Sequence, residues 1–437
     1  MTTRILDFPH AGRAEDAAAQ IYRKVSLRLI PLLFVCYIAA YLDRVNVGFA
    51  KLQMQAALQF SDSVYGLGAG IFFLGYFVFE VPSNAALHRV GARKWISRIM
   101  VVWGLLSMAT AFVSSPFSFY LLRFLLGAAE AGFFPGVIVY LGTWYPLHRR
   151  GHAVSLFLCA IPFAGILGGP TSGWILRHLD GFGGGQGWQW LFVLQGLPSV
   201  LLGLVVRRRL HDRVAGVGWL SAAEQRFILA EIAGEVRGKT VGGLRQALAQ
   251  PRVWVLAAVY FALAGGLYGV SFWLPAVIRS AGVADALHVG LLSALPWSAG
   301  LFAMLWVARR ADRRRSHGAC CAASALVGAV GLAVCAGAGA DLLTALLGIT
   351  LALAGILAAL PAFWALPSGF LAGGAAAAGV ALINSFGNLS GFGSPYLLGL
   401  LHQRTHGHGV GLSVAALLVA AGGLLVLSLR RPPNRAA

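Results

Sequence analysis

Five ionisable side chains, Asp43, Arg44, Glu80, Arg123 and Glu130, interrupt otherwise apolar runs of the sequence. A charge at membrane depth is costly, so such residues tend to sit where a solute binds, a proton moves or a path is gated. Arg44 and Arg123 offer planar guanidinium forks that meet a carboxylate with two parallel hydrogen bonds. Asp43 and Glu130 offer carboxyls that can take up a proton. Two Arg and two ionised acids sum to zero. A bound carboxylate would add an unbalanced negative charge, and protonating one acid would restore neutrality, so anion and proton uptake become linked. Asp43 adjoins Arg44 and is expected to feel that guanidinium most, which leaves Glu130 as the better proton carrier. The competing reading is that these groups are structural ion pairs that lock helices together.

Helix rise places the groups in depth. Arg44 and Arg123 fall at a similar level, each about 10 Å below one end of its run. Glu130 follows Arg123 by seven residues, almost two turns, so the two share a helix face, with Glu130 about 10 Å deeper. Glu80 lies near the other end of its run beside Pro82. It is expected to pair with a loop base such as Arg89 or Arg150 and to help close an inner gate. The second half of the chain offers only neutral polar groups at comparable depth, among them Asn384, Ser385, Asn388, Trp364 and Tyr268.

The elements that must position these residues are membrane-spanning helices. The chain has 437 residues, 58% apolar and 11% charged, against roughly 25% charged in a soluble domain. Twelve long apolar runs begin near Leu27, Val64, Ile96, Phe117, Ala153, Trp188, Val253, Leu287, Ala319, Leu342, Ala375 and Leu412. Backbone in hydrocarbon must satisfy its own hydrogen bonds, and continuous runs of about 20 residues do so as helices rather than barrel strands. The predicted fold is an all-α membrane protein of twelve transmembrane helices in two six-helix bundles. The expected divisions are a tail at 1–26, a first bundle at 27–206, a linker at 207–252, a second bundle at 253–429 and a tail at 430–437. In the linker, Ser221 and Glu224 match a capping box, with Gly238 as a stop and a second short amphipathic helix before Pro251.

Charge orients the chain. Of 34 Lys and Arg, 28 fall in the tails and the even-to-odd loops, four (Lys51, Arg177, Arg279, Arg404) in the odd-to-even loops, and Arg44 and Arg123 within spans. This alternation follows the positive-inside rule and puts both termini in the cytoplasm, with the chain in a cell inner membrane. A nucleic-acid-binding protein would gather its basic residues on one soluble face, so the +19 formal charge does not indicate nucleic acid as a partner.

Gly132/Gly136, Gly165/Gly169/Gly173 and Gly387/Gly391 repeat at four-residue spacing, which lets helices approach closely in lipid. Pro135, Pro162, Pro170, Pro296 and Pro395 allow bends. Cys36, Cys159, Cys320, Cys321 and Cys335 read as packing residues, and His402, His406 and His408 as a solvated loop rather than a metal site. There is no phosphate-binding glycine loop, nucleophile elbow or metalloprotease helix. The expectation is therefore no enzyme, cofactor or metal, with an ion gradient as energy source.

Tyr41-Leu42-Asp43-Arg44-Val45-Asn46 resembles the first-span signature of the anion:cation symporters of the major facilitator superfamily. Arg123-Phe124-Leu125-Leu126-Gly127 and Ala129-Glu130-Ala131-Gly132-Phe133-Phe134-Pro135-Gly136 resemble their fourth-span signature. His88-Arg89-Val90-Gly91-Ala92-Arg93-Lys94 is similar to the superfamily's basic loop, with Arg309–Arg315, including Asp312, as its second-half counterpart. The resemblance implies two bundles rocking about a midplane site and proton-driven uptake of a small organic anion, most similar to the tartrate, sugar-acid, phthalate and hydroxyphenylacetate carriers and nearest the tartrate-like ones. It implies anion binding at Arg44 and Arg123, and proton carriage at Asp43 and Glu130. A cavity lined by Tyr41, Tyr76, Asn384, Asn388 and Trp364, gating by Glu80, Arg89, Arg93 and Asp312, and a monomer in the bilayer complete the expectation. Gly165, Gly169-Pro170 and Gly173 partly resemble the fifth-span motif of drug antiporters, so exchange of anions or drugs is the alternative.

Overall fold

A computed structural model of the chain describes residues 11–236, 248–367 and 374–429. The expected stop at Gly238, most of the second linker helix, the loop after Pro367 and the last tail lie outside the described residues. The elements run Ala11–Leu58, Asp62–Val90, Ala92–Ala109, Pro116–Glu130 continued by Phe133–Gly142, Leu147–Leu158 continued by Ala160–His178, and Gly187–Arg209. The linker helix Ala222–Val236 follows. The second set is Pro251–Ser280, Ala286–Arg314, His317–Ala336, Leu342–Trp364, Gly374–Thr405 and Gly409–Ser428. We call these the first to twelfth spans. Among the described residues, eleven helices are long and apolar enough to cross a bilayer. The eleventh span, 32 residues long, is rich in Gly, Ser and Asn and packs between the second and seventh spans. Large apolar side chains such as Phe302, Trp306 and Leu417 point outward, as lipid contact requires.

Two spans break where proline dictates. A proline ring clashes with the carbonyl four residues before it and donates no hydrogen bond. Pro135 stands four residues after Ala131, where the fourth span parts, and Pro162 four after Leu158, where the fifth parts. The first helix is already formed at Ala11, well before the apolar run, and its polar turns rest on the linker. Tyr22 donates to Glu231 at 2.6 Å, and Lys24 meets Glu224 at 2.5 Å. Ser221 caps its helix as expected, with Glu224 N to Ser221 Oγ at 3.2 Å and Ser221 N to Glu224 Oε2 at 2.8 Å.

The two bundles meet tightly at the end that carries Lys51. The fifth and eighth spans touch backbone to backbone. A Cβ on Gly290 would lie 2.2 Å from the Gly169 carbonyl oxygen, and one on Gly169 would lie 2.4 Å from that of Gly290. Arg177 and Asp285 pair across the seam at 2.6 Å, and Tyr65 donates to the Phe272 carbonyl at 3.2 Å. Lys51 pairs with Asp62 at 2.8 Å and lies 3.5 Å from the centre of the Trp273 ring, while His402 contacts Asp62 at 2.8 Å. His402 thus departs from the expected solvated loop: it sits on a helix, with an acidic partner brought in from the second span and His408 stacked on it at 4.3 Å.

Replacing Gly290 with valine should wedge the seam apart at the Lys51 end. In a background stripped of native cysteines, a cysteine placed at Ser271 should then react several-fold faster with an impermeant thiol reagent added from that side. Unchanged labelling would mean that the seam does not seal the interior.

Candidate functional site

Tyr37, Tyr41 and Arg44 follow one another by four and three residues and so line one face of the first span. Tyr76 of the second span, Phe134 beyond the break in the fourth, and Leu158, Ile161 and Pro162 around the break in the fifth complete one wall of a chamber. The second bundle supplies Tyr260 and Tyr268 of the seventh span, Met304 of the eighth, Leu357, Pro361 and Trp364 of the tenth, and Asn384 and Asn388 of the eleventh. The chamber extends from mid-depth away from the sealed Lys51 end. It is narrow, about 60 Å³ of free volume, room for a few waters. Of the residues singled out from sequence for this cavity, Arg44, Tyr41, Tyr76, Asn384, Asn388 and Trp364 line it.

Arg44 is 5% exposed and Glu130 fully buried, and the two form an ion pair through Nη2 and Oε1. The other terminal nitrogen of Arg44 donates to the Tyr268 hydroxyl at 3.1 Å, and that hydroxyl donates to Asn388 Oδ1 at 3.2 Å. One hydrogen-bonded chain therefore runs from the fourth span through the first to the seventh and eleventh. The guanidinium lies 5.4 Å from the Phe72 ring centre and 5.5 Å from that of Tyr76, close enough for attraction to the π faces. Tyr41 reaches across the seam as well, with its hydroxyl 3.3 Å from Ser271 Oγ and its ring edge-on to Trp297 at 5.9 Å.

Three expectations are corrected. Asp43 does not pair with Arg44. Neighbours on a helix point about 100° apart, and Asp43 faces into the first bundle. It is fully buried there and accepts from Trp103 at 3.0 Å, Ser107 at 2.8 Å and Ser199 at 2.5 Å, tying the first, third and sixth spans together. Arg123 does not line the chamber. It is fully buried against the second span, with Nε donating to the Gly68 carbonyl at 3.2 Å and its guanidinium 5.1 Å from the Phe72 ring centre. It does share the level of Arg44, since both pack on Phe72. Glu80 accepts from Asn384 at 3.1 Å and Ser385 at 3.0 Å on the eleventh span rather than from a loop base.

Among the proposed gating groups, Arg89 is exposed. Arg93 donates its backbone N–H to Asp212 at 2.7 Å, and Asp312 meets His317 at 2.9 Å. Asp212 went unnoticed in the sequence, as did Tyr260 and Tyr37; the four-residue spacing of Tyr37 and Tyr41 before Arg44 was the available signal.

The model of the Major Facilitator Superfamily matches residues 33–395. The chain belongs to that superfamily. It is 45% identical to a candidate metabolite transport protein, NicT, of Pseudomonas putida, over 97% of this chain and 95% of that one. It is 44% identical to a candidate tartrate transporter of Agrobacterium vitis, over 96% of this chain and 97% of that one. It is 39% identical to a quinolone resistance transporter of Acinetobacter baumannii, over 94% and 95%. A bacterial homolog of the human lysosomal transporter Spinster, solved inward-facing and occupied, matches with a TM-score of 0.74 at 16% identity, covering 93% of this chain and 98% of that one. The protein is a multi-pass membrane transporter of the facilitator fold, not an enzyme.

Leucine at position 43 would leave three buried donors without an acceptor, a cost on the order of 1–3 kcal/mol for each. Asp43→Leu should therefore lower the melting temperature of the detergent-solubilised protein markedly, and Asp43→Asn, which keeps one acceptor oxygen, should lower it less. Equal melting temperatures for the three proteins would show that the carboxyl does not hold the bundle together.

Proposed function

We propose that this transporter takes up a small organic anion together with a proton by alternating access, from a cell inner membrane and with both termini in the cytoplasm. The observation that supports it most is that Arg44, the one charged side chain among the described lining residues, already holds an acid, Glu130. A bound carboxylate competes with Glu130 for the same guanidinium. Two carboxylates on one Arg in a buried chamber leave an excess negative charge, and a proton on Glu130 removes it. The proton then stays while the anion stays. Asp43, facing away from the chamber, is assigned a structural role, and Arg123 the role of fixing the second and fourth spans beneath Phe72.

The bound state also bears on the seam. Arg44 reaches Tyr268 of the second bundle, so an anion that turns the guanidinium alters a contact between the halves, which is the kind of link that couples binding to rocking. Exchange of anions or drugs is the second reading, and it draws on the quinolone resistance relative. The fifth-span glycines that suggested it have a packing duty of their own against the eighth span, which weakens their value as an antiport signal.

In proteoliposomes, an inward proton gradient should accelerate anion uptake by wild type, whereas acceleration only by substrate loaded on the far side would establish exchange. Arg44→Ala should abolish binding of a carboxylate probe such as benzoate or tartrate. Glu130→Gln, a permanent mimic of the protonated acid, should bind the probe and exchange it across the membrane yet lose accumulation against a gradient. Full proton-driven accumulation by Glu130→Gln would remove Glu130 from the coupling.

A further inference from the structure

The lining of the chamber speaks to the class of anion, on the premise that Arg44 receives a carboxylate. We infer that the chamber selects aromatic monocarboxylates over aliphatic dicarboxylates and hydroxy diacids such as tartrate. Charge limits the chamber to one carboxylate. Among the described lining residues Arg44 alone is charged, and Arg123, the second guanidinium at that level, faces the Gly68 carbonyl instead. One guanidinium balances one carboxylate. A second carboxylate would lie among Tyr, Trp and Leu side chains without a cation, and an unpaired buried charge is strongly disfavoured.

Each bundle presents an aromatic bank to the chamber. On one side Tyr37 and Phe134 pack with ring centres 5.8 Å apart. On the other, Tyr260 and Trp364 pack edge to face at 4.8 Å, with Tyr260 itself stacked on Phe363 at 5.3 Å and 13°. A flat ring against such banks gains offset or edge contacts that a flexible polyol chain cannot make. Besides the hydroxyls of Tyr37, Tyr41, Tyr76, Tyr260 and Tyr268, the neutral polar groups in reach include two amides. Asn384 and Asn388 stand one turn apart on the eleventh span, and their amides suit a ring hydroxyl or ring nitrogen.

The test is a binding panel on the purified full-length protein in nanodiscs: benzoate, 4-hydroxybenzoate, cyclohexanecarboxylate, succinate and tartrate, read by calorimetry. Benzoate and 4-hydroxybenzoate should bind at least tenfold tighter than cyclohexanecarboxylate, which has the same charge but no π face, and the two diacids should bind weakest. Trp364→Leu should shrink the preference for benzoate over cyclohexanecarboxylate to about threefold or less. If tartrate or succinate binds as tightly as benzoate and Arg44→Ala abolishes that binding, the aromatic assignment falls while the carboxylate reading of Arg44 stands. Equal affinity for benzoate and cyclohexanecarboxylate overturns the assignment in the same way. Binding of every anion undiminished in Arg44→Ala overturns the reading of Arg44 and the assignment with it.

Discussion

A guanidinium and a carboxylate removed from water must stay together, because separating them leaves two uncompensated charges where the dielectric is low. The Arg44–Glu130 pair lies under that constraint at the centre of the molecule, and much of the surrounding arrangement serves it. Phe72 and Tyr76 lay π faces beside the guanidinium, and Tyr268 accepts from its other terminal nitrogen. Breaking the pair requires a substitute partner for each member. In the proposed cycle the substitutes are an incoming carboxylate for Arg44 and a proton for Glu130, which is why neither is expected to move without the other.

Holding the pair at a fixed depth demands a rigid first bundle. Asp43 supplies part of that rigidity by gathering donors from the third and sixth spans onto the first. Arg123 supplies another part by gripping carbonyl oxygen on the second span from the fourth. The second bundle carries no charge to the chamber among its described residues. It brings Tyr268, Asn388 and a wall of rings, so the charged chemistry belongs to one half and the neutral recognition to the other. Glu80 crosses that division by accepting hydrogen bonds from Asn384 and Ser385, and the seam therefore has a polar contact on the chamber side as well as the sealed one.

The twelve-helix architecture was legible because it depends on length and apolarity, which a single sequence displays. The proline breaks were foreseen as bends at Pro135 and Pro162, since the ring acts on its own helix. The site was legible in part. Arg44 was legible because a charge in an apolar run has few other reasons to be there, whereas Tyr41 and Tyr76 were expected in the chamber only through the resemblance to the symporters. Asp43 was misread because adjacency in sequence is divergence on a helix. Arg123 and Glu80 were misread for a different reason. Their partners, a backbone carbonyl on the second span and two side chains on the eleventh, are set by how helices pack, and no local pattern encodes that. His402 met Asp62 for the same reason, over 340 residues of separation.

Tyr41 occupies a place where two surfaces coincide. Its ring is part of the chamber wall, its hydroxyl touches Ser271 across the seam, and its edge rests on Trp297, whose own ring fills the groove opened by Gly165. A solute that presses on this tyrosine thus presses on the eighth span through a single intervening residue. The cavity needs no long relay to inform the opposite half that it is full, because one aromatic side chain is at once floor and fulcrum.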